Sequence, residues 1–76
     1  MTEKKTWLVV TFYTTSAAMA MEKLCREQGI AGKLIPVPRQ LSADCGMAWR
    51  GEVIQRERLQ ALAEGIETEG WYEIEG

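Results

Sequence analysis

Cys45 is the residue of this chain with the most evident capacity for chemistry. It stands in the segment ADCGMA, at positions 43–48. A cysteine thiolate is a strong nucleophile, and positive charge or a helix N-terminus beside it lowers the pKa of the thiol. Gly46 leaves room for a second molecule, whereas the charge of Asp44 opposes thiolate formation. The segment therefore fits an exposed working thiol, and the alternative is an inert, buried cysteine, which is common for free thiols.

Cys25, the other cysteine, has the pattern of a core residue. It shares one helical stripe with Met21 and Leu24, which predicts that it is buried. Nine residues separate Cys25 from Ser16 at the expected helix start, and this is about 13 Å at the rise of an α-helix. A disulfide needs Cα atoms within about 7 Å, so the two cysteines are not expected to pair.

The chain lacks the side chains that most catalytic and metal sites use. It contains no histidine, the usual general base and the commonest metal ligand. Its two cysteines cannot build a four-thiolate zinc site. Strand alternation would spread the C-terminal carboxylates over a surface instead of around a calcium ion. These carboxylates are Glu67, Glu69, Glu73 and Glu75. We expect no metal and no cofactor, and the absence of histidine counts against an enzyme that acts alone.

The first half of the chain predicts a strand followed by a helix. Residues 7–13, WLVVTFY, are β-branched and aromatic, which favours a strand. The hydroxyl cluster that follows is typical of a helix N-cap, and Gly29 is typical of a helix C-terminus. The cluster consists of Thr14, Thr15 and Ser16. A helix is therefore expected over about residues 16–28.

The rest of the chain predicts three strands and a second helix. The segment GKLIPVP, residues 32–38, favours a short strand that its prolines interrupt. GMAWRGEV, residues 46–53, and GWYEIEG, residues 70–76, alternate as strands do. Between them, apolar residues repeat at i, i+3, i+4 and i+7, the stripe of a helix. These are Leu59, Leu62, Ala63 and Ile66.

The order strand, helix, strand, strand, helix, strand is that of the ferredoxin-like split βαβ fold, of class α+β, in a single domain over residues 1–76. Right-handed crossovers place the third strand between the first two, and the fourth on the other side of the first. We expect an antiparallel sheet with both helices on one face. The helix cap and the loop before the third strand then share one sheet edge. Cys45 is expected there, beside Pro36, Pro38 and Arg39.

Two segments, TFYTTSAAMAMEKLCREQGI and LIPVPRQLSADCGMAWR, resemble a family of small bacterial proteins described as selenium/sulfur carrier-like. The family has a hydroxyl-rich turn after a strand, an acid-lysine-leucine stretch, a Pro-x-Pro-Arg segment, and a serine-containing loop that leads to Cys-Gly. In this chain these features are Phe12, Thr15 and Ser16; Glu22, Lys23 and Leu24; Pro36, Pro38 and Arg39; Ser42; and Cys45 and Gly46. The resemblance spans most of residues 8–66.

The resemblance implies that Cys45 is a carrier thiol, which holds sulfur or selenium as a persulfide or perselenide. A partner enzyme would load it, so the implied partners are a donor protein and an acceptor protein. Such a carrier needs neither a general base nor a resolving cysteine, so the absence of both is compatible with this role. The residues implied to support the thiol are Gly46, Ser42, Pro36, Pro38, Arg39, Thr15 and Ser16.

The open face of the predicted sheet supports an alternative function, that of a binding or regulatory module. The interface candidates on the face turned away from the helices are Trp7, Val9, Tyr13 and Trp71. Such an aromatic patch predicts a homodimer through the two sheets. Single-stranded RNA can also stack on exposed rings. Nine basic against eleven acidic residues, a net charge of -2, disfavour nucleic acid.

The N-terminus and the hydropathy of the chain bear on its location. No small-residue cleavage pattern follows the basic pair near the N-terminus, so no secretion signal is expected. No apolar run approaches the roughly 18 residues of a membrane span. The sequence therefore predicts a soluble, cytoplasmic protein that does not enter a membrane.

Overall fold

The strands and helices follow the predicted order. The computed structural model describes residues 5–41 and 46–75. The elements are β1 (Thr6–Phe12), α1 (Thr15–Glu27), β2 (Gly32–Pro36), β3 (Met47–Glu52), α2 (Arg56–Leu62) and β4 (Thr68–Glu75), with the 3-10 turns Val53–Gln55 and Ala63–Gly65 on either side of α2. The bounds of α1 and of each strand lie within two residues of their predictions.

The strands form one antiparallel sheet in the order β2-β3-β1-β4. This confirms the ferredoxin-like α+β arrangement, because β3 lies between β1 and β2 while β4 lies on the other side of β1. Leu8 and Val10 of β1 belong to one core cluster with Met21 of α1 and Leu59 of α2. Both helices therefore cover the same face of the sheet, as predicted.

Strand β1 is buried on both of its faces. Leu8 and Val10 face the helices and are fully buried. Val9 and Thr11 point to the opposite face, yet they are only 2% and 0% exposed. A central strand of this kind needs apolar side chains at nearly every position, which explains the continuous apolar run in its sequence.

The C-terminus of α1 is closed by Gly29 and Ile30. Gly29 has a φ of +72°, in the left-handed region that favours glycine. The Ile30 N–H donates to the Cys25 carbonyl oxygen at 2.8 Å, and the Gly29 N–H donates to that of Arg26 at 3.2 Å. These two bonds form a Schellman motif. Buried Ile30 anchors the turn, which directs the chain into β2.

Trp49 is the largest fully buried side chain among the described residues. Gly32 and Gly51 are direct partners across β2 and β3. The indole of Trp49 lies over both glycines, so a Cβ atom on either one would overlap the ring carbons. The two glycines thus form a slot that lets the indole lie flat against the sheet.

Candidate functional site

Cys45 belongs to the connection between β2 and β3. Cys45 and Ser42 lie outside the described residues, so the site is built from the residues on both sides of them. The Val37 N–H donates to the carbonyl oxygen of Gly46 at 3.2 Å. The connection is therefore closed at its base by the residue that directly follows Cys45.

Gly46 has a conformational role in addition to its small size. Its φ of +73° lies in the left-handed region, where other residues are strained. A Cβ atom at Gly46 would meet no other atom within 4 Å. The requirement for glycine thus comes from the backbone of Gly46 and not from a close neighbour.

The Pro-x-Pro-Arg segment forms the other side of the same hairpin. Pro36 ends β2 opposite Met47. The Leu41 N–H donates to the carbonyl oxygen of Pro38 at 2.9 Å, which closes a tight turn with Arg39 at its tip. Arg39 is exposed. The structure therefore brings the two prolines and the arginine into one hairpin with Gly46.

The first turn of α1 supplies the second group of predicted site residues. The Thr14 side chain is the N-cap, since its Oγ1 accepts a hydrogen bond from the Ala17 N–H at 3.1 Å. Thr15 and Ser16 are the first helical residues, and both are exposed. No acidic side chain lies in this turn. The partial positive charge of the helix N-terminus therefore has no carboxylate within its own first turn.

The topology brings these two groups to the same edge of the sheet. Thr11 pairs with Ala48, and Pro36 pairs with Met47, so β1 and β2 end where β3 begins. The α1 turn follows β1 directly, while the hairpin joins β2 to β3. The expected shared edge is therefore present. That Cys45 itself lies beside the helix cap stays a prediction.

Two grooves flank α1, and Ser16 lines both of them. The larger one, of about 460 Å³, runs along α1 and includes Met19, Lys23 and Leu34. The smaller one, of about 260 Å³, lies between α1 and residues 65–67. Met19 was not among the predicted site residues. Its position off the apolar stripe of α1 could have identified it as a surface residue, and its side chain is 59% exposed. A protein that approached this edge would meet a partly apolar surface.

The thiol of Cys25 is expected to be unreactive. It is 2% exposed and packs in the core cluster, as its position on the helical stripe predicts. Burial raises the pKa of the Cys25 thiol to about 11, and the negative charge of Glu22 adds to this effect. Cys25 therefore stays protonated near neutral pH and is shielded from reagents.

Trp71 does not lie on the open face of the sheet, where it was predicted. Trp71 pairs with Val10 and packs against the core on the helix side, where its Nε1–H donates to Thr68 Oγ1 at 3.1 Å. The placement of Trp71 on the open face was therefore wrong. The alternation of residues in β4 defines two faces of the strand but does not show which face is turned to the helices. In the folded chain the large indole of Trp71 is turned to the core.

Other aromatic rings are on or next to the open face. Tyr72 is opposite Val9 and is 37% exposed. Tyr13, just beyond the end of β1, is 48% exposed. Trp7 is half-buried, and Val9 is too buried to offer contact area. The exposed aromatic surface is thus smaller than expected and centres on tyrosines.

Acidic side chains of β4 do not converge on one point. Glu73 pairs with Arg56 of α2 at 2.5 Å. Within residues 5–41 and 46–75, no group of three or more histidine, cysteine, aspartate or glutamate side chains is close enough to hold a metal ion. No helix in the same part of the chain has the length and apolar character needed to cross a membrane.

Comparison with known proteins places the chain in one family. The family model described as "Putative Se/S carrier protein-like" matches residues 8–73, which includes most of β1, both helices and the Cys-Gly segment. No curated protein and no solved structure matches the chain. Since the family match covers nearly the whole chain, this protein belongs to the Se/S carrier protein-like family.

Proposed function

We propose that this protein carries sulfur or selenium on the Sγ atom of Cys45. The observation that carries the proposal is its membership of the Se/S carrier protein-like family over a span that includes Cys45. The chain has two cysteines. Burial and a raised pKa remove Cys25 from consideration, which leaves Cys45 as the thiol suited to transfer.

Loading of Cys45 needs only one nucleophile. The Cys45 thiolate attacks the outer sulfur of a persulfide on a donor protein. A bond forms between Cys45 Sγ and that sulfur, while the sulfur–sulfur bond of the donor breaks and its electron pair leaves on the donor thiolate. A donor that carries selenium on its cysteine reacts in the same way. No external oxidant or base is consumed, and an acceptor thiol unloads Cys45 by the reverse exchange.

The described part of the sheet edge favours a thiolate. The N-terminus of α1 has no acidic side chain in its first turn, and a helix N-terminus stabilises nearby negative charge. Arg39 is exposed at the tip of the hairpin that leads to Cys45. Thr15, Ser16 and the left-handed Gly46 complete the surroundings that we assign to the carrier thiol.

A carrier of this kind acts between two proteins and catalyses no reaction alone. Its partners are a donor that loads Cys45 and an acceptor that unloads it. We assign it to the cytoplasm, because a persulfide carrier needs the reducing conditions that keep thiols free.

The test is the intact mass of the protein isolated without reductant. We expect a species heavier by one sulfur atom or one selenium atom, and peptide mapping should locate the added atom on Cys45. Reductant should remove it, because persulfides exchange with thiols. Cys45→Ser should lack the heavier species, whereas Cys25→Ala, the matched control, should retain it.

Two results would contradict the carrier role. One is an added atom that remains in Cys45→Ser and maps to Cys25. The other is protein that stays at its unmodified mass after incubation with a persulfide-bearing donor, while the Cys45 thiol is shown to be free by titration.

The exposed tyrosines favour a second role, that of a homodimer through the open faces of two sheets. Tyr72 offers a partly exposed ring on the open face, and Tyr13 offers a second one just beyond the end of β1. Light scattering should give the mass of two chains at high protein concentration. Tyr72→Ser should shift the protein towards the monomer, and Met19→Ser, which changes an exposed apolar side chain on α1, should not. A constant monomer mass would rule this role out.

A further inference from the structure

Two cations are directly opposite each other at one end of the open sheet face. Lys33 of β2 pairs with Arg50 of β3, so their side chains leave the same face at neighbouring positions. Like charges directly opposite on adjacent strands are unfavourable. Three other cations of the described residues have carboxylate partners, since Lys5 bonds to Glu52, Arg26 to Glu22 and Arg56 to Glu73. Within residues 5–41 and 46–75, neither Lys33 nor Arg50 has a carboxylate partner.

Arg50 is positioned by an aromatic ring, and its guanidinium has a hydrogen-bond donor without a partner. Its guanidinium carbon lies 4.3 Å from the centroid of the Trp7 ring, which fixes the plane of the group. Its Nε–H is buried and has no hydrogen-bond acceptor in the described part of the chain. A buried donor without an acceptor is unfavourable. The ring therefore orients the guanidinium, while its buried Nε–H stays out of reach of a ligand. Arg50 as a whole is only partly buried, lines a cleft and has no carboxylate partner among the described residues, so the rest of its guanidinium can bind an acceptor from outside the chain.

A cleft of about 300 Å³ is located at these two cations. It is lined by Trp7, Lys33, Arg50 and Glu52 and by the backbone at Gly32 and Gly51. The carboxylate of Glu52 accepts a hydrogen bond from Lys5 Nζ at 2.7 Å, so its charge is offset. The cleft therefore has net positive charge. It lies where β2 begins and β3 ends, at the far end of the sheet from the Cys45 hairpin.

We propose that this cleft binds a small oxyanion of the phosphate or sulfate type, which bridges Lys33 and Arg50. The planar guanidinium offers paired N–H donors to two oxygens of such a group, and the ammonium adds a compact point charge. A bound dianion would relieve the repulsion between the two cations and supply acceptors to Arg50. The volume of the cleft is at the lower limit for small-molecule sites, so the cleft fits a small ligand. The anion is either free in solution or the terminal group of a small organic molecule.

Amide NMR titrations with inorganic phosphate, sulfate and glycerol phosphate, at constant ionic strength set with sodium chloride, test this site. We expect saturable shifts at the amides of Gly32 and Gly51 and at the indole N–H of Trp7. Tighter binding of glycerol phosphate than of inorganic phosphate would identify an organic ligand, and the opposite order would identify a free anion. Lys33→Gln should weaken binding about tenfold or more, as the loss of one charge-assisted contact does. Lys23→Gln, which removes an exposed lysine on α1, should bind like the original chain.

Lys33→Glu gives a sharper test, because it places a carboxylate opposite Arg50. This variant should have a higher thermal unfolding midpoint than the original chain and should no longer show the phosphate shifts. The proposal fails if the shifts do not saturate, if chloride alone produces them, or if they persist unchanged in Lys33→Gln and Lys33→Glu. Lys33 is exposed, so neither substitution disturbs the core.

Discussion

Iodoacetamide at neutral pH should label Cys45 at least about a hundred times faster than Cys25 in the folded protein, because the thiolate is the reactive form. Burial raises the pKa of Cys25 from 9.0 to about 11. Each pH unit below the pKa lowers the thiolate fraction about tenfold, so this shift alone slows Cys25 by about two orders of magnitude. Its 2% exposure slows it further. Time-resolved mass spectrometry of the two cysteine peptides measures both rates.

Labelling in denaturant provides the control. In unfolded chains the two cysteines should react at similar rates, because the burial that protects Cys25 is lost. A native Cys45 that reacts faster than a free cysteine would indicate that α1 and Arg39 lower its pKa. A native Cys45 that reacts as slowly as Cys25 would show that it is inaccessible, and the carrier role would then be untenable.

The fold could be predicted because the local signals agree with one another. The hydroxyl cluster before α1, the glycine after it and the apolar run of β1 each favour one structure, and the crossover rule then sets the strand order. The end of β1 shows the limit of this reasoning. A register shift between Thr11 and Phe12 arises in the pairing with β4 and was not predicted. Gly70 lies opposite Thr11 at this shift, and a glycine within a strand is only a general signal for a bulge, which does not say where the register changes.

The candidate site could be predicted only in part. The sequence placed Pro36, Arg39 and Gly46 at one sheet edge with the start of α1, because strand directions follow from the topology. It did not identify the left-handed φ of Gly46, a backbone conformation that the residue types alone do not specify. It also did not single out Thr14 from the hydroxyl cluster as the N-cap, because that role depends on a hydrogen bond that forms only in the folded chain. The pairing of Lys33 with Arg50 likewise depends on strand register.

The Trp49 slot is the feature that sequence patterns could least have revealed. Gly32 and Gly51 are far apart in the chain, and they meet only because β2 and β3 pair in one register. Each glycine alone predicts a weak point in a strand. Together they admit the indole of Trp49, which a side chain at either position would exclude. A glycine in a strand can therefore support the core instead of weakening it.

Replacing Gly51 by alanine should lower the free energy of unfolding by about 3 kcal/mol, at the upper end of the usual cost of overpacking a core. The added methyl group would overlap ring carbons of Trp49, whose indole is fully buried. Urea unfolding followed by circular dichroism measures the loss. Gly32→Ala should have a similar effect, because its Cβ would overlap the same ring.

Two further variants separate overpacking at Trp49 from a general effect of replacing glycine. Gly65→Ala should change stability by no more than about 0.5 kcal/mol, because a Cβ there would meet no atom within 4 Å. In a Trp49→Leu background, Gly51→Ala should cost much less than in the original chain, since the overlapping ring carbons are gone. An equal loss of unfolding free energy in the two backgrounds would show that Gly51 is not required to accommodate the indole of Trp49. The double-mutant cycle therefore measures how strongly the slot and the tryptophan depend on each other.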